Sequence, residues 1–214
     1  MPIRDLIKGN KIFRNESFPD YKKDMDETIK HGQKPEVLFI SCCDSRVTPD
    51  LMLNTRPGDM FILRNVGNFV PQYKHDEDYH GSAAAIEYAV SVLGVKNIIV
   101  CGHSHCGACE SLYKDIPNTK ELAHVKTWLK LGEEAKAIAL KNANFSTKEE
   151  MYKETEKNSI KYQLKNLLTY PAVQEKVKNK ELIIHGWYYT LEDGTISYYD
   201  ENSNNFFPLE DLLI

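Results

Sequence analysis

The sequence predicts an α/β fold: a mostly parallel central β-sheet flanked by helices, with an N-terminal helical extension. Short apolar runs of strand length alternate along the chain with longer patterns of helix length, as in domains built on a parallel sheet. These runs are continuous rather than alternating, which is typical of strands buried on both faces. With 214 residues, 42% of them hydrophobic, the chain can bury a full core.

The first 34 residues differ in character from the rest of the chain. They are polar with scattered apolar positions, a pattern that predicts one or two amphipathic helices docking on another surface. These apolar positions are Ile7, Ile12, Phe13, Phe18, Tyr21, Met25 and Ile29. We therefore divide the chain into a helical arm, residues 1–34, and an α/β domain, residues 35–214. Because the arm has no obvious face to cover within its own chain, we expect it to pack on a second subunit.

The first half of the domain contains three apolar runs of strand length. They lie at residues 37–41, 59–65 and 96–102. Between the second and third runs, residues 81–94 are nearly all apolar and predict a buried helix, with Ser82 as N-cap and Gly94 as C-cap.

The second half reads as helices followed by a hairpin. Two helical patterns cover residues 120–141 and 148–169. Thr147 and Glu150 have the spacing of a capping box at the start of the second pattern. Near the C-terminus, Asp193-Gly194 separates two strand patterns and predicts a β-hairpin.

Composition excludes several function classes. The net charge of −4 and the isoelectric point near 6.0 argue against nucleic-acid or anionic-membrane partners. No apolar stretch approaches the roughly 20 residues that a membrane span needs, and the first residues lack the apolar core of a signal peptide. We therefore expect a cytoplasmic protein. Five cysteines, an odd number, favour metal or redox chemistry over a disulfide framework.

Two clusters of reactive residues follow the first and third apolar runs. Cys42 closes the first run, and His103 and Cys106 follow the third, three positions apart. The carboxyl ends of parallel strands meet at one edge of a sheet, so the two clusters are expected to meet. Two thiolates and an imidazole leave one coordination position open, as in catalytic zinc sites.

Other interpretations of these residues remain open from spacing alone. Buried cysteines often act as small apolar side chains, which suits Cys43 and Cys101 but leaves the neighbouring charged residues unexplained. Cys106 and Cys109 have the C-x-x-C spacing of a redox dithiol, although such a motif is expected after the first strand. Residues 102–106 nearly match a nucleophile elbow, but Cys106 replaces its final glycine.

Four separate segments carry a family resemblance. They are CCDSR at 42–46, RNVGN at 64–68, AAIEYAV at 84–90 and GHSHCG at 102–107. In these motifs and their order, the chain from about residue 30 to 200 resembles the β-class carbonic anhydrases, zinc enzymes that interconvert carbon dioxide and bicarbonate. The N-terminal region is similar only in character to the helices with which that family embraces a partner subunit, so a homodimer or homotetramer is expected.

The resemblance implies zinc ligands Cys42, His103 and Cys106 and a nucleophilic hydroxide on the metal. Two thiolates neutralise the formal charge of Zn²⁺, which blunts its acidifying effect on bound water, so another group must favour and orient the hydroxide. Asp44 can accept its hydrogen, while Arg46 holds the Asp44 carboxylate and keeps it ionised. The plainer interpretation of this pair is an ion pair that only organises the loop.

The resemblance also implies a substrate pocket and a proton path. Gln33, Phe61 and Tyr88 match the residues that line the carbon dioxide site in the plant-like branch of the family. Core packing is the plainer interpretation of the two aromatic residues. His75 and His80 are the candidates for a proton shuttle, because imidazole titrates near neutral pH.

The family divides over the fourth zinc position, which some members close with the motif aspartate. In those members a Trp, an Arg and a Tyr hold an inhibitory bicarbonate. Here Phe39 stands at the Trp position, although Arg64 and Tyr189 match the other two, and Ser41 replaces a typical glycine. We therefore expect an open site at neutral pH. A zinc-dependent binding or storage protein is the non-enzyme alternative. The presence of both Asp44 and Arg46 argues against this alternative.

Overall fold

The computed structural model describes residues 1–141 and 144–213 and contains one six-stranded sheet with the strand order β2-β1-β3-β4-β5-β6. Its strands are β1 (Val37–Cys42), β2 (Met60–Asn65), β3 (Asn97–His103), β4 (Ile183–Tyr189), β5 (Ile196–Asp200) and β6 (Asn205–Pro208). The first four strands are parallel to one another, and β5 and β6 run antiparallel. The predicted mostly parallel sheet and the hairpin at Asp193-Gly194 are thus confirmed.

Helices cover both faces of the sheet and form the N-terminal extension. The α-helices are α1 (Ile3–Ile12), α2 (Phe18–His31), α3 (Pro49–Leu53), α4 (Gly81–Glu87), α5 (Gly107–Ser111), α6 (Ala123–Leu129), α7 (Glu133–Lys141), α8 (Lys148–Leu167) and α9 (Pro171–Lys178). Short 3₁₀ turns and two π-turns, Phe13–Ser17 and Tyr88–Leu93, join or extend them.

The side chains of the central strands alternate between two apolar layers. One layer contains Leu38, Ile40, Ile98 and Val100, packed against buried residues from the α4 and α9 regions. The opposite layer contains Phe39, Ile99 and Cys101 with Trp187. Burial on both faces explains why these strands have continuous apolar sequences.

Helix α8 lies directly on the sheet because two glycines make room for it. A Cβ atom added at Gly102 or Gly186 would lie 2.8 Å from side-chain carbons of Ile160. The helix begins as predicted, with the Thr147 hydroxyl accepting a hydrogen bond from the Glu150 amide at 3.1 Å.

Many of the residues that α8 buries are polar. Among them, Gln163 accepts a hydrogen bond from the Val70 amide, and Asn166 donates one to the Val70 carbonyl, each at 2.8 Å. These bonds fix the loop after β2 to the helix.

The structure corrects three details of the helix predictions. The segment 81–94 is buried on one face only in the single chain: Ile86, Ala89 and Val90 are fully buried, but Tyr88 is 45% and Val92 is 65% exposed. Ser82 is not its N-cap, because α4 begins one residue earlier, whereas Gly94 at φ +70° ends the segment as predicted. The pattern 120–141 is interrupted by a 3₁₀ turn between α6 and α7, where Gly132 packs closely against Phe69 and Leu112.

The N-terminal extension consists of α1 and α2, and neither helix has a buried residue. Helix α2 is tied to the domain by Arg56, whose guanidinium contacts Asp24 at 2.6 Å and lies over the Tyr21 ring. None of the helices in residues 1–141 and 144–213 combines the length and apolarity required to cross a membrane.

The contact of α8 with the sheet gives a testable prediction. Gly186→Ala should lower the free energy of unfolding by about 1–3 kcal/mol, because its methyl group would overlap Ile160. Chemical denaturation measures this change, with Gly9→Ala as the control, because a Cβ at Gly9 meets nothing within 4 Å.

The double variant with Ile160→Ala should lose less stability than the sum of the two single variants, since the overlap disappears. Strict additivity would contradict the proposed contact.

Candidate metal centre

The structure brings Cys42, His103 and Cys106 together at the carboxyl edge of the sheet. Their potential ligand atoms lie within 4.8 Å of one another, and all three residues are buried. Cys42 ends β1, His103 ends the neighbouring β3, and Cys106 immediately precedes α5. The predicted meeting of the two clusters is therefore confirmed by the strand order.

The imidazole of His103 is oriented as a metal ligand would be. Its Nδ1 donates a hydrogen bond to the Ser104 carbonyl at 2.8 Å, which leaves Nε2 as the free acceptor. Nε2 is buried and finds no hydrogen-bond partner among the described residues. Such an unsatisfied group costs about 1–3 kcal/mol. Two sulfurs and an unpartnered imidazole nitrogen fit the donor set that zinc prefers.

The two thiols also need a cation before they can both be ionised. Contact with Cys106, followed by burial, raises the pKa of the Cys42 thiol to about 12. Contact with Cys109 and burial likewise raise the pKa of the Cys106 thiol well above its ordinary value. A divalent cation would reverse these shifts, because a coordinating thiol loses its proton.

A turn after β2 supports the Cys42 sulfur from the side. The backbone amide of Gly67 lies 3.4 Å from Cys42 Sγ and donates to it. Gly67 has φ +80°, and an added Cβ would lie 2.8 Å from that of Ala108. Only glycine combines a positive φ with the absence of a Cβ atom that this close contact requires. Trp128 also holds the turn, because its indole N–H donates to the Val66 carbonyl at 2.7 Å.

Asp44 and Arg46 form a bidentate ion pair beside the sulfurs. Arg46 Nε lies 2.9 Å from Asp44 Oδ1, and Nη2 lies 2.8 Å from Oδ2. This guanidinium holds the pKa of the Asp44 carboxyl well below its usual range. The same Nη2 donates to the His105 carbonyl at 3.0 Å, so Arg46 links the loop after β1 to the loop after β3.

Arg64 and Phe39 occupy positions that the predicted open site depends on. The Arg64 guanidinium donates to the carbonyls of Cys42 and Asp44 at 3.0 and 2.8 Å. Phe39 is fully buried and packs edge-on against Trp187, with ring centroids 6.2 Å apart. Tyr189 accepts a hydrogen bond from the Ser104 amide through its backbone carbonyl.

The predicted substrate-pocket residues do not surround this centre within one chain. Phe61 and Tyr88 contact each other, with ring centroids 5.8 Å apart. However, Phe61 precedes Asn65, the register partner of Cys42, by four residues, which is about 13 Å along β2. Gln33 is exposed and precedes the opposite end of β1.

Both candidate shuttle histidines lie in the exposed loop before α4. His80 Nε2 lies 2.6 Å from Asp76 Oδ1, and Asp76, Asp78 and His80 form a second, fully exposed group of potential ligands. Hydrogen bonds within this group account for its geometry.

Sequence reasoning missed two glutamates that hold the loop carrying His103 and Cys106. Glu192 accepts hydrogen bonds from Ser104 and pairs with His105, contacts that lower the pKa of its carboxyl to about 2. Glu156, in the middle of α8, accepts from the Cys106 amide, and burial raises the pKa of its carboxyl to about 7. The polar sequence of α8 resembles a solvent-facing helix, so no signal pointed to Glu156.

Known proteins are similar to this chain in both sequence and fold. The profile of the family described as Carbonic anhydrase matches residues 37–196. The carbonic anhydrase of Synechocystis sp. is 40% identical over 204 residues, covering 95% of this chain and 73% of the relative.

Solved structures agree. The β-carbonic anhydrase CcaA superposes with a TM-score of 0.88 at 39% identity, covering 96% of this chain and 91% of that one. A structure described among two tetrameric β-carbonic anhydrases from Sordaria macrospora gives 0.71 at 28% identity, covering 91% and 92%.

Proposed function

The chain belongs to the β-carbonic anhydrase family, enzymes that interconvert carbon dioxide and bicarbonate, and we propose that it does so on a zinc ion held by Cys42, His103 and Cys106. The observation that carries this proposal is the buried group of two thiols and an unpartnered imidazole nitrogen. Zinc held there would lower the pKa of water and so supply hydroxide, with Asp44 favouring the hydroxide form because the two thiolates weaken the effect of the metal. Addition of that hydroxide to the carbon of carbon dioxide would give bicarbonate, which keeps one proton of the water, while the proton lost in forming hydroxide goes to solvent.

Asp44 orients the nucleophile in this proposal. An ionised carboxylate can only accept hydrogen bonds, so Asp44 selects an oxygen nucleophile that presents a hydrogen to it. Oδ1 already accepts from the Arg46 amide and Nε, whereas Oδ2 accepts only from Nη2. Oδ2 therefore keeps a lone pair for the nucleophile and directs the oxygen's own lone pair toward carbon dioxide.

Arg46 keeps Asp44 ionised and turned away from the metal. The bidentate pairing holds the carboxylate against the guanidinium through both of its oxygens, which supports the open site expected from Phe39 and Ser41. A zinc-loaded crystal structure near neutral pH should show the Asp44 carboxylate paired with the Arg46 guanidinium. Coordination of Asp44 to zinc would contradict the open site but not the enzyme.

We propose that the aromatic pair Phe61–Tyr88 and Gln33 serve the metal centre of a second subunit. Within one chain they lie toward the other end of the strands from Cys42, and Tyr88 is half-exposed on the outer face of its helix. A partner packed on this face would bury the apolar surface that the sequence predicts to be buried. The apolar pair would then give carbon dioxide a dry wall, and the Gln33 amide would donate to a substrate oxygen.

We propose a homodimer or homotetramer joined in part by the arm of residues 1–34. The large apolar side chains exposed on α1 and the adjoining turn are Ile3, Leu6, Ile7, Ile12 and Phe13. A helix with such an apolar face needs a surface to cover it. The structure from Sordaria macrospora is described as tetrameric, which supports assembly.

We also propose a cytoplasmic enzyme without nucleic-acid or membrane partners. All five cysteines are free thiols in the structure, as suits a reducing compartment.

The zinc ligands give the most direct test. Each of Cys42→Ala, His103→Ala and Cys106→Ala should abolish stoichiometric zinc, because three ligands leave no spare donor. Elemental analysis of the purified protein measures zinc per chain, and carbon dioxide hydration measures activity. Cys109→Ala is the matched control, since this buried thiol lies outside the ligand group, and should keep its zinc. Full zinc occupancy in Cys106→Ala would refute the assignment.

Arg46→Ala should separate the orientation of the nucleophile by Asp44 from the binding of the metal. We expect zinc to remain bound and kcat to fall by about 100-fold, because a misoriented reacting group costs on this order. Stopped-flow hydration with parallel zinc analysis measures both quantities. Lys22→Ala, which removes an exposed ion pair contained within α2 and outside the metal centre, should keep normal activity. An Arg46→Ala enzyme with normal kcat would exclude the proposed role.

Assembly can be tested with one charge on the arm. Ile7→Glu places a carboxylate on the exposed apolar face of α1 and should shift the protein to a smaller assembly with lower activity. Light scattering at micromolar concentration gives the mass, and Lys8→Glu is the neighbouring control. A wild-type chain that is an active, stable monomer would contradict the proposed assembly.

A further inference from the structure

Glu156 is a buried carboxylate that connects three elements behind the metal centre. It projects from α8 and is only 3% exposed. Its Oε1 accepts a hydrogen bond from the backbone amide of Cys106, and its Oε2 accepts one from the Tyr188 hydroxyl of β4, each at 2.8 Å. A single side chain thus joins α8, the loop after β3 and the β4 strand.

The placement of this carboxylate is costly for the fold. Burying a carboxylate is unfavourable unless it is paired, and among the described residues no lysine, arginine or histidine lies within ion-pair distance of Glu156. The nearby Lys157 ammonium lies over the Tyr188 ring, 5.4 Å from its centroid. Its direct polar contacts among the described residues are the two hydrogen bonds to the Cys106 amide and the Tyr188 hydroxyl, so Glu156 contributes the geometry of these bonds.

One of those bonds controls a proposed ligand. Cys106 is the N-cap of α5, so its amide has no partner within that helix. The residue before it, His105, is in the left-handed region at φ +56°, which makes the loop turn sharply just ahead of the ligand. Fixing the Cys106 amide restrains the backbone from which its Cα–Cβ bond projects, and so restricts the positions that Sγ can occupy.

We propose that Glu156 is a positioning residue for the metal centre, holding the Cys106 ligand through its backbone amide while Tyr188 orients the carboxylate. This inference rests on the zinc site proposed above. Groups that orient metal ligands in this way typically change metal affinity by about 10–100-fold when they are removed.

The test compares zinc affinity in four variants by competition with a chelator. Glu156→Ala removes the acceptor and should weaken zinc binding by about 10–100-fold. Glu156→Gln retains an oxygen for the Cys106 amide and should recover most of the affinity. Tyr188→Phe leaves the carboxylate without its orienting donor, and its zinc affinity should fall by less than that of Glu156→Ala. Glu149→Ala, an exposed carboxylate at the start of the same helix, is the control.

Cobalt(II) substitution supplies a readout that global stability does not change. A displaced Cys106 thiolate should alter the ligand-field and sulfur charge-transfer absorption of Glu156→Ala but not of Glu149→Ala. Thermal melting of the metal-free proteins shows whether the compared variants are equally folded. If Glu156→Ala does not fold, Glu156→Gln and Tyr188→Phe carry the comparison.

The proposal is overturned if Glu156→Ala keeps the zinc affinity and the cobalt absorption of the wild-type protein. It is also overturned if Glu156→Gln binds zinc as weakly as Glu156→Ala, since the charge of Glu156 would then matter rather than its hydrogen bond. Unchanged affinity in Tyr188→Phe would overturn the orienting role of the hydroxyl. Failure of the wild-type protein to bind zinc would instead refute the metal centre itself.

Discussion

The parallel pairing of β1 with β3 is the constraint on which the rest of the structure depends. Their register sets Ser41 opposite Cys101, so Cys42 and His103 emerge at the same edge of the sheet. Successive strand residues point to opposite faces, and a slip of one residue would turn the Cys42 sulfur toward the other layer. The continuous apolar sequence of both strands, anchored by residues such as Ile40 and Val100 in one layer, prevents that slip because either shift would disturb packing on both faces.

Polar contacts then fix the two loops that this register brings together. Arg46 and Arg64 bind carbonyls of the loops, while Glu156 and Glu192 accept from the loop that carries His103. Most of these bonds run between a charged side chain and the backbone, and such bonds are stronger than neutral ones. They hold three ligand atoms in a buried group where the thiols alone would remain protonated.

The sequence predicted this fold and the ligand group because both depend on local patterns. Continuous apolar runs identify strands, and the spacing of His103 and Cys106, together with the family motifs, indicates the candidate ligands. Glu156 could not be predicted, since nothing local distinguishes a polar helix residue that faces solvent from one that faces a buried amide. The four-residue β6 was also missed, because its stability comes from pairing with β5 rather than from its own sequence.

The burial predicted for residues 81–94 is found on one face of the segment only, for a different physical reason. Their apolar pattern is genuine, yet Tyr88 and Val92 remain exposed when one chain is considered alone. The arm shows the same excess of exposed apolar surface, so the sequence encodes more apolar surface than one chain can bury. In a symmetric dimer the same surface patch of each chain is buried by the other chain. Any residue that one chain contributes to its partner's site is therefore matched by the same residue of the partner in its own site. The proposed contribution of Phe61 and Tyr88 to a partner's site follows this reciprocity. Each chain would keep its own candidate ligands and supply its aromatic pair to the partner, so that assembly would complete the fold and the active site together.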